Sequence, residues 1–139
     1  MSSTQEDEAG ARPSILIVDD DRNTRSSLQR ALERDGYGVL VAEDGRAALS
    51  IAQGDDEIDL VLTDLLMPGL DGLGFLEGLR VVRPDVPTIL ISAFASVDTA
   101  VKAGRRGVCE VLEKPIRLRE VRRAIKRAMK QVHRPVPER

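Results

Sequence analysis

Cysteine, histidine and aromatic side chains are all scarce in these 139 residues, and each scarcity closes a class of function. Cys109 is the one cysteine, which excludes an internal disulfide and any cysteine-cluster metal site. It is read as a small buried apolar residue rather than a reactive thiol. His133, the one histidine, falls in the Pro-rich end and is read as a solvated tail residue, so triads built on histidine are set aside. Aromatic residues make up 2% of the chain, and none interleaves with the basic residues of the last segment. That segment is read as a solvated face, with no direct nucleic-acid partner expected. No apolar run reaches transmembrane length and no basic-then-apolar leader starts at Met1, so the expectation is a cytoplasmic protein without a membrane partner. A net charge of −2 points to no partner in bulk.

What is present suffices for one domain, since 42% hydrophobic content can fill a single core of this size. The acidic, polar start reads as a frayed tail over residues 1–13, the globular unit as 14–132, and the end as a short tail over 133–139. Ser14 to Val18 is a continuous apolar run rich in β-branched residues, broken by Asp19-Asp20-Asp21. Leu28, Ala31 and Leu32 follow at helical spacing, closed by Gly36. Tyr37 to Val41 predicts a second strand, and Arg46 to Gln53 a small helix. Ile58 to Asp64 predicts a third strand, and Leu73 to Val82 a helix in which Gly78 costs about 1 kcal/mol against alanine. Thr88 to Ser92 predicts a fourth strand. Ser96 then caps a short, weakly helical Val97 to Ala103, cut off by Gly104 and Gly107 and read as the mobile element. Val108 to Leu112 is the fifth strand, and Leu118 to Val132 a strongly amphipathic helix. Five strands alternating with five helices through short links require an α/β doubly wound parallel sheet with helices on both faces.

Such sheets bind ligands beyond the carboxyl ends of their strands, where strand order reverses. Strand one ends in Asp19 and Asp20, strand three in Asp64, strand four in Ser92 and strand five in Lys114, so acid, hydroxyl and amine converge on one edge. Carboxylates about 5 Å apart repel by roughly 3 kcal/mol per pair at an effective dielectric near 20, so the cluster calls for a cation or protons. Oxygen-only ligands suit a hard divalent ion, and magnesium fits best.

Together with Met67-Pro68-Gly69-Leu70-Asp71-Gly72, Ser92-Ala93 and Glu113-Lys114-Pro115-Ile116, these residues resemble the receiver domain of two-component response regulators over roughly residues 14 to 132. The resemblance implies a flavodoxin-like sheet of order 2-1-3-4-5. It implies that Asp64 takes a phosphoryl group from a sensor histidine kinase, a phosphotransfer protein or a small phosphodonor, without the chain being an enzyme toward any other substrate. Magnesium would be held by Asp20, Asp64 and the Leu66 carbonyl, with Asp19 acting through water. Ser92 and Lys114, the latter in a cis bond to Pro115, would each meet a phosphoryl oxygen. A face of helix four, strand five and helix five would signal to a downstream protein or form a dimer.

Two departures shape the expectation. The position three before the lysine, often aromatic in the family, is Val111 here, so output is assigned to the Ser92 loop and the fourth helix. Leu66 and Phe94 flank the route of hydrolytic water in the family, and neither orients water, which implies a slowly decaying aspartyl phosphate. Two rival readings compete. One is an aspartate-dependent phosphohydrolase with Asp19 as nucleophile and Asp21 as acid or base; the other is a docking module that is never phosphorylated. Because no output domain follows Val132, the chain is read as a single-domain regulator or a piece of a longer protein.

Overall fold

A computed structural model describes residues 12–64, 72–93 and 96–133, with side chains through Lys130. The elements run β1 (Ser14–Val18), α1 (Arg22–Arg34), β2 (Gly38–Ala42), α2 (Gly45–Gln53), β3 (Leu60–Asp64), α3 (Gly72–Val82), β4 (Thr88–Ser92), α4 (Val97–Arg105), β5 (Val108–Glu113) and α5 (Leu118–His133). All neighbouring strands are parallel, in the order β2-β1-β3-β4-β5. Since β1 lies between β2 and β3, the chain winds outward in both directions from β1, and the reversal leaves a crevice between the ends of β1 and β3.

Alternation along the strands splits the core into two layers. Ile15, Ile17, Leu60, Leu62 and Ile89 face α1 and α5, where Leu28, Leu32, Val121, Ala124 and Ile125 meet them. Leu16, Val18 and Val61 face α2 and α3, against Ala48, Ala52, Phe75 and Leu79. The three central strands are therefore buried on both faces, as their unbroken apolar runs require.

Several local expectations are corrected. Cys109 is exposed, not buried. The reason is a shift in register: Thr88 pairs with Val108 but Ile89 pairs with Glu110, which leaves Cys109 as the extra residue of a bulge on an edge strand. Its thiol donates to the Thr88 carbonyl at 3.4 Å. Tyr37 precedes β2 and its N–H donates to the Leu32 carbonyl at the end of α1. α4 runs through Gly104, and its stop is Gly107, whose φ of 86° suits glycine. α4 buries only Ala103, leaving Val97 and Val101 exposed, so few apolar contacts hold it. His133 lies within the helical backbone of α5 rather than beyond it.

Gly78 has a packing reason that periodicity did not show. A Cβ there would lie 2.9 Å from the Leu49 side chain, so the glycine allows α2 and α3 to approach. Two arginines tie down the opposite edge of the sheet from the carboxylates. Arg83 donates to the carbonyls of Ala52, Gly54 and Asp56 at 2.9, 3.1 and 2.8 Å, closing the end of α2. Arg80 donates to the carbonyls of Arg106 (2.9 Å), Val86 (2.8 Å) and Pro84 (3.2 Å) and to the Thr88 hydroxyl, joining α3 to the α4–β5 turn. Arg80→Met keeps the aliphatic stem but strips these partners, and is expected to cost about 2–4 kcal/mol, seen as a lower urea midpoint at unchanged m-value. An unchanged midpoint would remove Arg80 from the account of stability.

Candidate functional site

The strand register delivers the site. Val18 pairs with Thr63 and Asp64 with Ile91, so β1, β3 and β4 end at one level, with Asp19, Asp64 and Ser92 side by side. β5 is brought to the same level where Ser92 pairs with Glu113 and the Lys114 N–H donates to the Ser92 carbonyl at 2.8 Å. The Lys114–Pro115 peptide is cis.

Asp19 and Asp64 are buried, Asp20 is exposed at the mouth, and one carboxylate oxygen from each lies within 4.8 Å of the others. Lys114 reaches over both buried acids. Its Nζ donates to Asp64 Oδ2 at 3.0 Å and lies 3.6 Å from Asp19 Oδ2. Burial is the strongest single influence on this ammonium and works against its charge. The hydrogen bond to Asp64 and the charges of Asp19 and Asp64 together outweigh it and hold Lys114 above the ordinary lysine value. Burial likewise dominates at Asp19 and pushes its carboxyl up, against the opposing pull of the Asp21 N–H and of Lys114.

Asp19 is fixed from several sides. Its N–H donates to the Ala42 carbonyl at 3.2 Å, its Oδ1 accepts from the Asp21 N–H at 2.8 Å, and its carbonyl accepts from Arg25 Nη1 at 2.7 Å. Arg25 was not legible as a site residue, although its place one turn into α1 and six residues beyond Asp19 was the available signal. Asp21 does not join the cluster. It caps α1, accepting from the Asn23 N–H and the Thr24 hydroxyl, and that hydroxyl chiefly holds its carboxyl below the usual range. Thr24 and Ser26 are half-buried, while Ser27 is exposed. Leu66, Asp71 and Phe94 lie outside the described residues.

The donor set is three carboxylates without histidine or cysteine, which suits a hard divalent cation. At a separation near 5 Å the repulsion within the cluster is roughly 3 kcal/mol per pair, and Lys114 supplies one positive charge against three negative ones. Beside the cluster a groove of about 440 Å³ opens between the start of α1 and the β5–α5 loop, lined by Asn23, Thr24, Leu28, Lys114, Pro115 and Leu118.

Residues 15–126 match the model of the response regulator receiver domain. The chain belongs to this family. Among curated relatives it is 42% identical to the response regulator MprA of Mycolicibacterium vanbaalenii over 107 residues, covering 77% of this chain and 46% of that protein. It is 34% identical to the transcriptional regulatory protein ZraR of Escherichia coli K12 over 119 residues, covering 86% and 27% respectively. The chain thus spans about a quarter to a half of these relatives. A CheY-like receiver domain from Methanospirillum hungatei superposes with a TM-score of 0.83 at 28% identity, covering 87% of this chain and 96% of that one. In this receiver domain the Asp19, Asp20 and Asp64 cluster is compatible with the phosphoacceptor and metal site of the family, whose members catalyse only their own phosphorylation and dephosphorylation. Family membership also implies interaction with a histidine kinase or phosphotransfer partner. Among the described residues no helix is long and apolar enough to cross a membrane.

The raised acid at Asp19 has a testable consequence. A carboxyl whose native pKa lies above its unfolded value contributes stability that is complete below the unfolded value of 3.8 and is lost as pH rises through the raised one. Asp19→Asn is therefore expected to raise the urea midpoint of metal-free protein near neutral pH and to lose that advantage as pH falls below the carboxylate range. Unfolding curves collected across pH check this; a midpoint below wild type at neutral pH would contradict it.

Proposed function

We propose that Asp64 is the phosphoacceptor of a receiver unit that begins at β1 and ends with α5, and that signals through α4, β5 and α5 to a protein partner. The observation that carries the reading is the position of Lys114 Nζ, 3.0 Å from Asp64 Oδ2 with Asp19 behind it. An oxygen of Asp64 attacks the phosphorus of a phosphohistidine. The new P–O bond forms as the P–N bond breaks, and the imidazole leaves with the electron pair and takes a proton. Lys114, kept charged by its two acids, meets the negative charge of the incoming group, and Ser92 at the end of β4 offers a hydroxyl to another oxygen. Positioning and charge neutralisation account for most of the catalysis in phosphoryl transfer of this kind.

Asp20, Asp64 and the Leu66 carbonyl would hold magnesium directly, with Asp19 behind water; the ion when bound neutralises charge on the transferring group. The groove beside Lys114 offers a donor protein a surface next to the site, between the start of α1 and the β5–α5 loop. Output runs through the Ser92 loop and α4, because α4 is thinly packed and the half-buried Val111, opposite Leu90 in the sheet, lacks an aromatic lever. The aspartyl phosphate decays slowly, since Leu66 and Phe94 cannot orient water. The phosphohydrolase reading loses its acid–base residue, because Asp21 is spent on the helix cap and held ionised.

Intact mass after incubation with acetyl phosphate and magnesium tests the assignment. Wild type is expected to gain one phosphoryl group, and Asp64→Ala none. The same gain on Asp64→Ala would move the nucleophile elsewhere, and no gain on wild type with either acetyl phosphate or a phosphorylated kinase would favour the docking module.

A further inference from the structure

Charge is distributed unevenly along this chain: residues 117–133 hold seven cations and one acid, Glu120, in a protein whose net charge is −2. In α5 the buried residues Val121, Ala124, Ile125 and Ala128 define the face that meets the sheet. At about 100° per residue, Arg119, Arg123, Lys126 and Lys130 fall within an arc of roughly 60° directly opposite that face. All four are exposed. Their spacings of four, three and four residues make them neighbours along one line, about 16 Å long at 1.5 Å per residue.

The remaining α5 cations are accounted for within the fold. Arg122 pairs with Asp35 of α1 at 2.7 Å and Arg127 with Glu110 of β5 at 2.8 Å. These two pairs flank the stripe and leave Glu120 as the one acid of α5 beside it. Among the described residues, none of the salt bridges reaches Arg119, Arg123, Lys126 or Lys130. Arg119 and Arg123 line a cavity of about 280 Å³ together with Arg117 and Glu120. Like charges three and four residues apart destabilise a helix by a few tenths of a kcal/mol per pair, so this line works against α5 unless an anion covers it.

The chemistry of the stripe narrows the anion. The exposed apolar residues of the α4, β5 and α5 face, Val97 and Val101, lie on α4, where a protein partner would find its apolar centre, whereas the arc itself holds no apolar or aromatic residue for a protein or a membrane to use. A purely cationic line gains affinity by releasing condensed counterions, and that gain is greatest on duplex DNA, which carries one charge per about 1.7 Å of axis. Counterion release from the phosphates is the same whatever the base sequence, so a line of four cations acts through the backbone. We propose that, against the expectation of a merely solvated segment without a nucleic-acid partner, the exposed face of α5 is a sequence-independent docking surface for the phosphate backbone of duplex DNA, contacted through Arg119, Arg123, Lys126 and Lys130. This surface does not depend on phosphorylation of Asp64.

Fluorescence anisotropy of a labelled mixed-sequence duplex, titrated with the full 139-residue chain at several salt concentrations, tests the surface. Four phosphate contacts give a slope of log affinity against log salt near −3.6, which is about 150-fold weaker binding between 50 and 200 mM salt. The pair Arg123→Gln with Lys126→Gln, and separately the pair Arg119→Gln with Lys130→Gln, should each bring the slope to about −1.8. Lys102→Gln removes an exposed cation on α4 that pairs with Asp98, and should leave the slope as in wild type. Urea midpoints equal to wild type confirm that the α5 variants are folded, and using two separate pairs means that one misfolded pair does not decide the outcome. Absence of binding, or an unchanged slope in a folded pair, overturns the proposal. So does displacement of the DNA by poly-glutamate or by mixed phosphatidylcholine–phosphatidylserine vesicles at equal anionic charge, which would assign the face to an acidic protein or a membrane.

Discussion

The structure turns on one charge imbalance: three carboxylates converge at the reversal point of the sheet, and Lys114 is the one described cation whose side chain meets the two buried ones. Neither side is comfortable alone. Without Lys114 the buried Asp19 and Asp64 would repel at close range in a medium that screens poorly. Without the acids, burial would drive the lysine toward neutrality. The residual negative charge is what makes the site receptive to a cation. The ammonium, in turn, is the group already placed to meet an incoming anion.

The rest of the fold holds that imbalance in position. Apolar strands buried on both faces fix β1, β3 and β4 at a common level, so residues far apart in sequence arrive at one edge by register alone. Asp19 is further pinned by Arg25 and by the capping turn that Asp21 builds, which is why three consecutive aspartates divide into a buried carboxylate, an exposed carboxylate and a helix cap. At the opposite edge, Arg80 and Arg83 bind loop carbonyls and close the ends of the helices. Stability is thus anchored at one edge of the sheet while unresolved charge is kept at the other. α4, with a single buried residue, lies beside the reactive edge with little to hold it in one place.

Much of this was legible from the residues. Continuous apolar runs ending in acid, hydroxyl and amine are visible in the chain itself, and the two-face burial that they imply specifies a parallel sheet. The strand order was carried by resemblance, because periodicity states which faces are buried but not which strands are neighbours. What escaped was long-range or one-residue detail. The exposure of Cys109 depends on a bulge, and a one-residue slip in pairing leaves no mark in the sequence. The tolerance of Gly78 depends on Leu49 in another helix. Arg80 and Arg83 act by donating to backbone carbonyls, which have no sequence signature, and α4 continued through Gly104 because an exposed glycine weakens a helix without forbidding it.

The central claim is that the carboxylate cluster is an unbalanced charge site that a divalent cation completes. It is tested most directly by urea unfolding of wild type and of Asp64→Asn as magnesium is raised at constant ionic strength. A ligand that binds only the folded state stabilises it by about 2.7 kcal/mol at a hundredfold excess over its Kd, so the wild-type midpoint should climb steadily with magnesium and the variant's should rise much less. A wild-type midpoint that ignores magnesium, or one that rises equally in both proteins, would contradict the account.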